Sequence, residues 1–261
     1  MAPACNLGRG AVVPEMIRPI FGDQTTMALT AISQASDQTP EPLLVFLHGR
    51  GEIGGDADRQ VRTYGPWVNV RYDPKDAYGP DTIREIRRYH VLGVHLSAGD
   101  WDGEALSAFV DGHLAAHPTI DPQRLFLTGL SLGGRGVLRL ASHRLRTGRP
   151  VSSIASFCPA GGADGYSDAE VSVLRTVPTL LFHCPEDPVV PFEGSALLHK
   201  RLGSDVSRLR IVHKTELADA AAAHNCWTQF YGLPGLYRWL TAPARDPAHW
   251  PQLELPGATL T

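Results

Sequence analysis

Residues 124–138 read RLFLTGLSLGGRGVL, and this stretch decides the fold. The apolar run Leu125-Phe126-Leu127 has the composition of a buried strand. Gly129-Leu130-Ser131-Leu132-Gly133 is a tight turn, and helical spacing follows over residues 133–146. A strand that turns sharply into a helix lifts Ser131 to the carboxyl end of a sheet, the geometry of a nucleophile elbow. Such a turn is strained and needs small flanking residues, which Gly129 and Gly133 supply. Taken alone, G-x-S-x-G also describes a glycine-rich surface turn, so its weight comes from what surrounds it.

Outward from the elbow, short apolar runs alternate with helical patterns. Residues 43–47 (LLVFL) read as a buried parallel strand, and residues 91–96 (VLGVHL) as a less continuous one. Residues 104–116 have helical spacing, with Leu106, Phe109, Val110 and Leu114 on one face. Further strands fall at 153–158, 178–183 and 209–213, with helices at about 192–202 and 226–240. Residues 11–32 read as one or two strands or an irregular entry. This alternation is the signature of a doubly wound, mostly parallel α/β sheet flanked by helices. The spacing from 153 to 178 leaves little room for a helical cap, so a minimal cap or none is expected. The 261 residues fit one domain, with a core over about 42–241 and a proline-rich tail, 242–261, that is not expected to be core. The long excursion between residues 48 and 90 is expected to wall the site.

Composition excludes several classes. A net charge of −3 gives no electrostatic reason to expect nucleic acid or an anionic membrane as partner. No apolar stretch reaches transmembrane length, and the start lacks a secretory pattern, so a cytoplasmic location is the expectation. Cys5, Cys158, Cys184 and Cys226 are widely spaced without C-x-x-C, which gives no cysteine zinc site. The last three lie near motifs and read as buried thiols. Oligomeric state is not readable.

A serine hydroxyl needs a base to remove its proton and an acid to orient that base. On an elbow of this kind the chain order is serine, acid, histidine. Asp187, after the 178–183 strand in HCPEDP, is the acid; Glu186 is its neighbouring competitor. His224, in AHNCW after the last strand, is the base; His213 is the rival. The base must be neutral to act, so activity should fall on acidification. The amide of Leu132, directly after the serine, and that of Arg50, in His48-Gly49-Arg50-Gly51, are the candidate oxyanion donors. Trp101 and Trp227 are candidates to stack on a sugar or aromatic acyl group, although packing roles are more common for such residues. No metal or organic cofactor is implied.

With these pieces in order, the chain resembles the α/β-hydrolases. More narrowly, it resembles the esterase group often labelled predicted peptidases, allied to feruloyl and acetyl-xylan esterases and polyhydroxybutyrate depolymerases. The resemblance rests on PLLVFLHGRGEIGGD (42–56), Tyr64-Gly65-Pro66, DPQRLFLTGLSLGGRG (121–136), PTLLFHCPEDPVVPFEGS (178–195), HNCWTQFY (224–231) and YRWL (237–240). It implies the same nucleophile, acid and base. The chain departs from the pattern at Cys184, where the group usually has glycine, and at Val137-Leu138, where an aromatic is common. It departs again in HLSAGDW (95–101), where a proline-containing segment is usual. These departures bear on the substrate more than on the chemistry.

The expectation is therefore a serine carboxylesterase-type hydrolase acting on a small-molecule ester or thioester through an acyl-enzyme. The alternatives are a biosynthetic thioesterase, acyltransferase or cyclase using the same triad, and a non-catalytic hydrolase-fold binding protein.

Overall fold

A computed structural model of the chain describes residues 13–15, 29–66, 78–161, 165–217 and 223–242, together with Leu253. The described residues build one eight-stranded sheet. Its strands are β1 (Val13–Glu15), β2 (Leu29–Gln34), β3 (Glu41–Leu47), β4 (His90–Leu96), β5 (Ile120–Leu130), β6 (Ser153–Phe157), β7 (Thr179–His183) and β8 (Ser207–Ile211). They lie in the order β1-β2-β4-β3-β5-β6-β7-β8. β2 is antiparallel to both neighbours, and every pairing from β4 across to β8 is parallel.

Side chains alternate across a strand, so one apolar run feeds two cores. Leu43, Val45 and Leu47 enter the first core with Leu92, Val94, Leu125 and Leu127. Leu44 and Phe46 enter the second with Phe126, Phe157 and Phe182. Both faces are covered, so all of β3 is buried and its sequence shows no polar alternation. α3 (Gly103–Ala116), α4 (Leu132–Arg146), α5 (Asp168–Leu174) and α6 (Phe192–Leu202) supply the first core. α1 (Ala57–Val61), α2 (Pro80–Ile86), α7 (Thr228–Tyr231) and α8 (Pro234–Thr241) supply the second. This is the doubly wound architecture read from the sequence.

Local chemistry sets the helix ends. The Asp102 carboxylate accepts the Ala105 N–H at 2.8 Å and starts α3. Ser167 and Glu170 form a capping box at α5. Between β6 and β7 the described residues hold only α5, whose Val171 and Leu174 are buried in the first core, so no helical cap stands there.

Three expectations are corrected. The single helix over 226–240 is two, α7 and α8, because Pro234 opens a new helix after Gly232 and lacks the N–H to continue the old one. The last strand is Ser207–Ile211, not 209–213: it pairs with β7 from Thr179↔Ser207 to His183↔Ile211, and Arg208 and Arg210 on this edge strand hide its start. Leu253, in the proline-rich tail, is buried in the second core and would meet any side chain added at Gly235. The rest of that tail beyond Ala242, and residues 16–28 of the entry segment, lie outside the described residues. Among the described residues no helix is long and apolar enough to cross a membrane.

Candidate active site

β5 ends at Leu130, α4 begins at Leu132, and Ser131 between them has φ 52° and ψ −116°. A non-glycine residue rarely adopts this conformation, and holding it costs ~1–3 kcal/mol. Its surroundings enforce it: the Ser131 N–H donates to Phe157 O at 2.8 Å, and the Ala160 N–H donates to Ser131 O at 3.1 Å. The flanking glycines are steric necessities. A Cβ at Gly133 would stand 2.1 Å from Leu47 O and 2.4 Å from His48 O, both backbone atoms. A Cβ at Gly129 would stand 2.5 Å from Gly133 O. Gly133→Ala should therefore destabilise the chain by about 4 kcal/mol or more, read by urea denaturation. A loss below about 1 kcal/mol would mean the turn relaxes freely.

The structure brings Ser131, His224 and Asp187 into one hydrogen-bonded chain. Ser131 Oγ lies 3.0 Å from His224 Nε2, and His224 Nδ1 lies 2.7 Å from Asp187 Oδ2. The carboxylate can only accept, so Nδ1 carries the proton and Nε2 is left to receive one from the serine. The Asp187 side chain is fully buried, while the His224 side chain keeps 19% of its exposure and Ser131 keeps 8%.

Burial opposes ionisation of Asp187. Hydrogen bonds from His183, His224 and the Val190 and Val189 N–H groups outweigh it and hold the carboxyl well below the usual carboxylate range. His183, the last residue of β7, is a positioning residue that the sequence reading missed. Its Nε2 faces Val190 O at 3.0 Å and Asp187 Oδ2 at 3.3 Å, so that nitrogen is the donor. Its Nδ1 then accepts from Ser195 Oγ at 2.7 Å. The rivals are set aside by place: Glu186 is paired with the Cys184 thiol at 3.0 Å, and His213 caps a 3-10 turn at Lys214–Glu216.

The loop after β3 lies against the serine. A Cβ on Gly49 would stand 3.5 Å from Ser131 Cβ and 2.9 Å from Leu130 Cδ1, so glycine allows the close approach. Arg50 opens the 3-10 turn Arg50–Glu52, and Leu132 opens α4; the first amides of a helical turn lack intrahelical partners. Both amides therefore remain candidates for anion donors, each at the start of a helical turn. Glu52, also missed in the sequence, folds its buried carboxyl back beside Gly49. Burial raises its pKa, against hydrogen bonds from the Gly49 and Glu52 N–H groups and the nearby His224.

His48 fixes this loop from behind. Its Nε2 accepts the Leu96 N–H at 2.9 Å, so Nδ1 donates to Gly49 O at 2.7 Å. Burial pushes the imidazole down to about 4, helped by His95 and opposed by the Gly49 carbonyl. In the unfolded chain a histidine protonates near ~6.5. Between these values the unfolded state binds the extra proton, so stability is complete above ~6.5 and falls as the pH drops toward 4. The slope from this one group is up to about 1.4 kcal/mol per pH unit. Urea unfolding of the wild type and of His48→Gln at several pH values checks it: the slope should shrink in the variant, and equal slopes would contradict the burial argument.

The tryptophans do not offer open faces. Trp101 is fully buried; its Nε1–H donates to His48 O at 3.2 Å and its ring packs on Gly136. It is a packing residue of the first core, which corrects its reading as a substrate platform. Trp227, 5% exposed, stands edge-on to His224 at 5.1 Å and to Tyr64 at 5.7 Å. It backs the imidazole rather than presenting a stacking surface. Of the 48–90 excursion, Gly49 and Glu52 lie beside the triad, and Tyr64 packs behind Trp227.

Two of the cysteines meet beneath His224: Cys158 Sγ lies 3.7 Å from Cys226 Sγ and 3.3 Å from His224 O. Cys158, Asp187 and His224 bring potential metal-ligand atoms within 4.8 Å of one another. Burial keeps the Cys158 thiol protonated, and Asp187 and His224 are already bonded to each other, so this group is a hydrogen-bonded support.

No family model matches the chain, and no curated protein matches it. Solved structures do. A thermostable esterase superposes with a TM-score of 0.64 at 22% identity, covering 88% of this chain and 62% of its own. A carboxyl esterase 2 from the mycorrhizal fungus Tuber melanosporum gives 0.51 at 15% identity, covering 78% and 76%. A Pyrococcus horikoshii acylaminoacyl peptidase gives 0.53 at 13% identity, covering 89% of this chain and 41% of that one. The chain thus spans less than two thirds of that esterase's length. These likenesses, with the strand order above, establish the α/β-hydrolase fold.

Proposed function

We propose that the chain is a serine hydrolase that cleaves carboxylic esters through an acyl-enzyme. The observation that carries this reading is the unbroken path from Ser131 Oγ through both nitrogens of His224 to a buried, ionised Asp187. Ser131 attacks the ester carbonyl as His224 Nε2 takes its proton. The negative charge that develops on the carbonyl oxygen is met by the Leu132 and Arg50 amides. His224 returns the proton to the leaving alcohol, and the Ser131 acyl ester remains. Water, deprotonated by the same imidazole, then releases the acid and restores the serine. Asp187 stays ionised throughout, holding the ring in one tautomer and stabilising the imidazolium.

The solved esterases that share the fold support ester chemistry. A panel of p-nitrophenyl acyl esters, feruloyl esters, acyl thioesters and peptide anilides tests the reading. Turnover of the oxygen esters, dependent on Ser131, is expected. Turnover of thioesters alone would replace it with the thioesterase or acyltransferase reading. No turnover of any substrate by folded protein would leave the binding-protein reading.

A further inference from the structure

At the amino end of the sheet, opposite the end that carries Ser131, three histidines converge. His90 opens β4, His113 lies in the last turn of α3, and His117 caps that helix one turn on. His113 and His117 stack with centroids 4.1 Å apart, and His90 lies 5.0 and 5.2 Å from them. One ring nitrogen from each lies within 4.8 Å of the other two. His90 and His113 are buried, and His117 is half-buried.

Their outer partners set which nitrogen faces inward. His90 Nδ1 is 3.0 Å from Glu41 Oε2, and His117 Nδ1 is 2.9 Å from His113 O. Both oxygens only accept, so both Nδ1 atoms carry the proton and both Nε2 atoms present a lone pair. Glu41 is itself held by the Ser36 N–H at 2.7 Å and the Thr119 hydroxyl at 2.6 Å. Burial opposes its ionisation, but these bonds and His90 outweigh it and lower its pKa. A carboxylate behind a histidine whose other nitrogen points into a cluster is the outer-shell arrangement that orients metal ligands. His113 Nε2 lies 2.9 Å from His90 Nε2. Two nitrogens ~2.1 Å from one zinc at a tetrahedral angle are ~3.4 Å apart, so this pair would open by ~0.5 Å, with His117 adjusting from within the 4.8 Å cluster.

We propose that His90, His113 and His117 form a three-histidine site for a divalent first-row cation, zinc being the best chemical match. Glu41 orients His90 from outside, and the fourth position, on the half-buried His117 side, takes water. All three rings bind as neutral imidazoles, and His113 moves its own N–H to Nδ1. The ion would join the start of β4 to the end of α3 and, through Glu41, to the start of β3. This site stands or falls independently of the reading of Ser131.

The test uses untagged full-length protein dialysed against chelator and titrated with Co2+, then with Zn2+. One equivalent of Co2+ should bind with the intense visible bands of a low-coordinate ion, and Zn2+ should displace it. Zn2+ should also raise the Tm. His117→Gln, at a half-buried helix end and so compatible with folding, should abolish the bands and the Tm shift. Glu41→Gln should weaken binding by about 10–100-fold. No binding by the folded wild type, or binding unchanged in His117→Gln, would overturn the proposal and leave a hydrogen-bonded histidine network.

Discussion

Ser131→Ala should lower ester turnover by roughly a million-fold, with the fold retained. The size follows from the geometry, because the hydroxyl is the atom that forms the acyl bond and nothing beside it can take its place. The Cys158 thiol, which also lies against His224, is held protonated by burial and turned toward His224 O. The variant should keep its Tm, since the Ser131 hydroxyl bonds only to His224 in the described structure and the elbow is held by backbone bonds. Residual catalysis from the Leu132 and Arg50 amides should still exceed the rate in water, by ~10³–10⁴-fold. Initial-rate kinetics beside circular dichroism separate the effect from unfolding. A loss below about a hundred-fold would mean that Ser131 is not the attacking group.

Asp187→Asn should cost about 10⁴ in kcat, with KM changing far less. The amide is nearly isosteric, so Val189 and Val190 can still donate to its oxygen. On the other side, however, the buried amide NH2 faces His224 Nδ1 and His183 Nε2, where two donors met the carboxylate. His224 then places its proton on Nε2, toward Ser131, and can no longer act as base. The imidazolium of the reaction also loses its counter-charge. Kinetics over a pH series check this: activity should recover in part only at high pH, where hydroxide substitutes for the missing base. Wild-type kcat in Asp187→Asn would reduce Asp187 to packing.

Much of this architecture is legible in the sequence because the governing physics is local. LLVFL and RLFL are strands buried on both faces and so lack alternation, and the glycines around Ser131 mark a turn in which a Cβ meets backbone. The positions of Asp187 and His224 follow from strand ends, which set the sheet edge a loop side chain can reach. The break between α7 and α8 was also written locally, in Gly232 and Pro234, but the apolar spacing across it masked the signal. Other features depend on contacts that no local pattern carries. His183 supports Asp187 because a β-strand end and a turn bring i and i+4 together, and Ser195 joins them from α6. Glu52 was visible in HGRGE, but only the path of the 3-10 turn brings its carboxyl back to Gly49. In the sequence Trp101 is a stacking candidate beside a packing alternative, and only the tertiary structure shows that the glycine at 136 lets it sink into the core. The spacing of His113 and His117 was readable on α3, whereas His90 reaches them only through the packing of α3 on β4.

The most direct test of the central claim is reaction with a fluorophosphonate, followed by intact mass and peptide mapping. One phosphonyl group per chain is expected, on Ser131, with labelling lost in Ser131→Ala and slowed strongly in His224→Ala. Folded protein that takes no label, or takes it on another residue, would contradict an activated serine at this elbow.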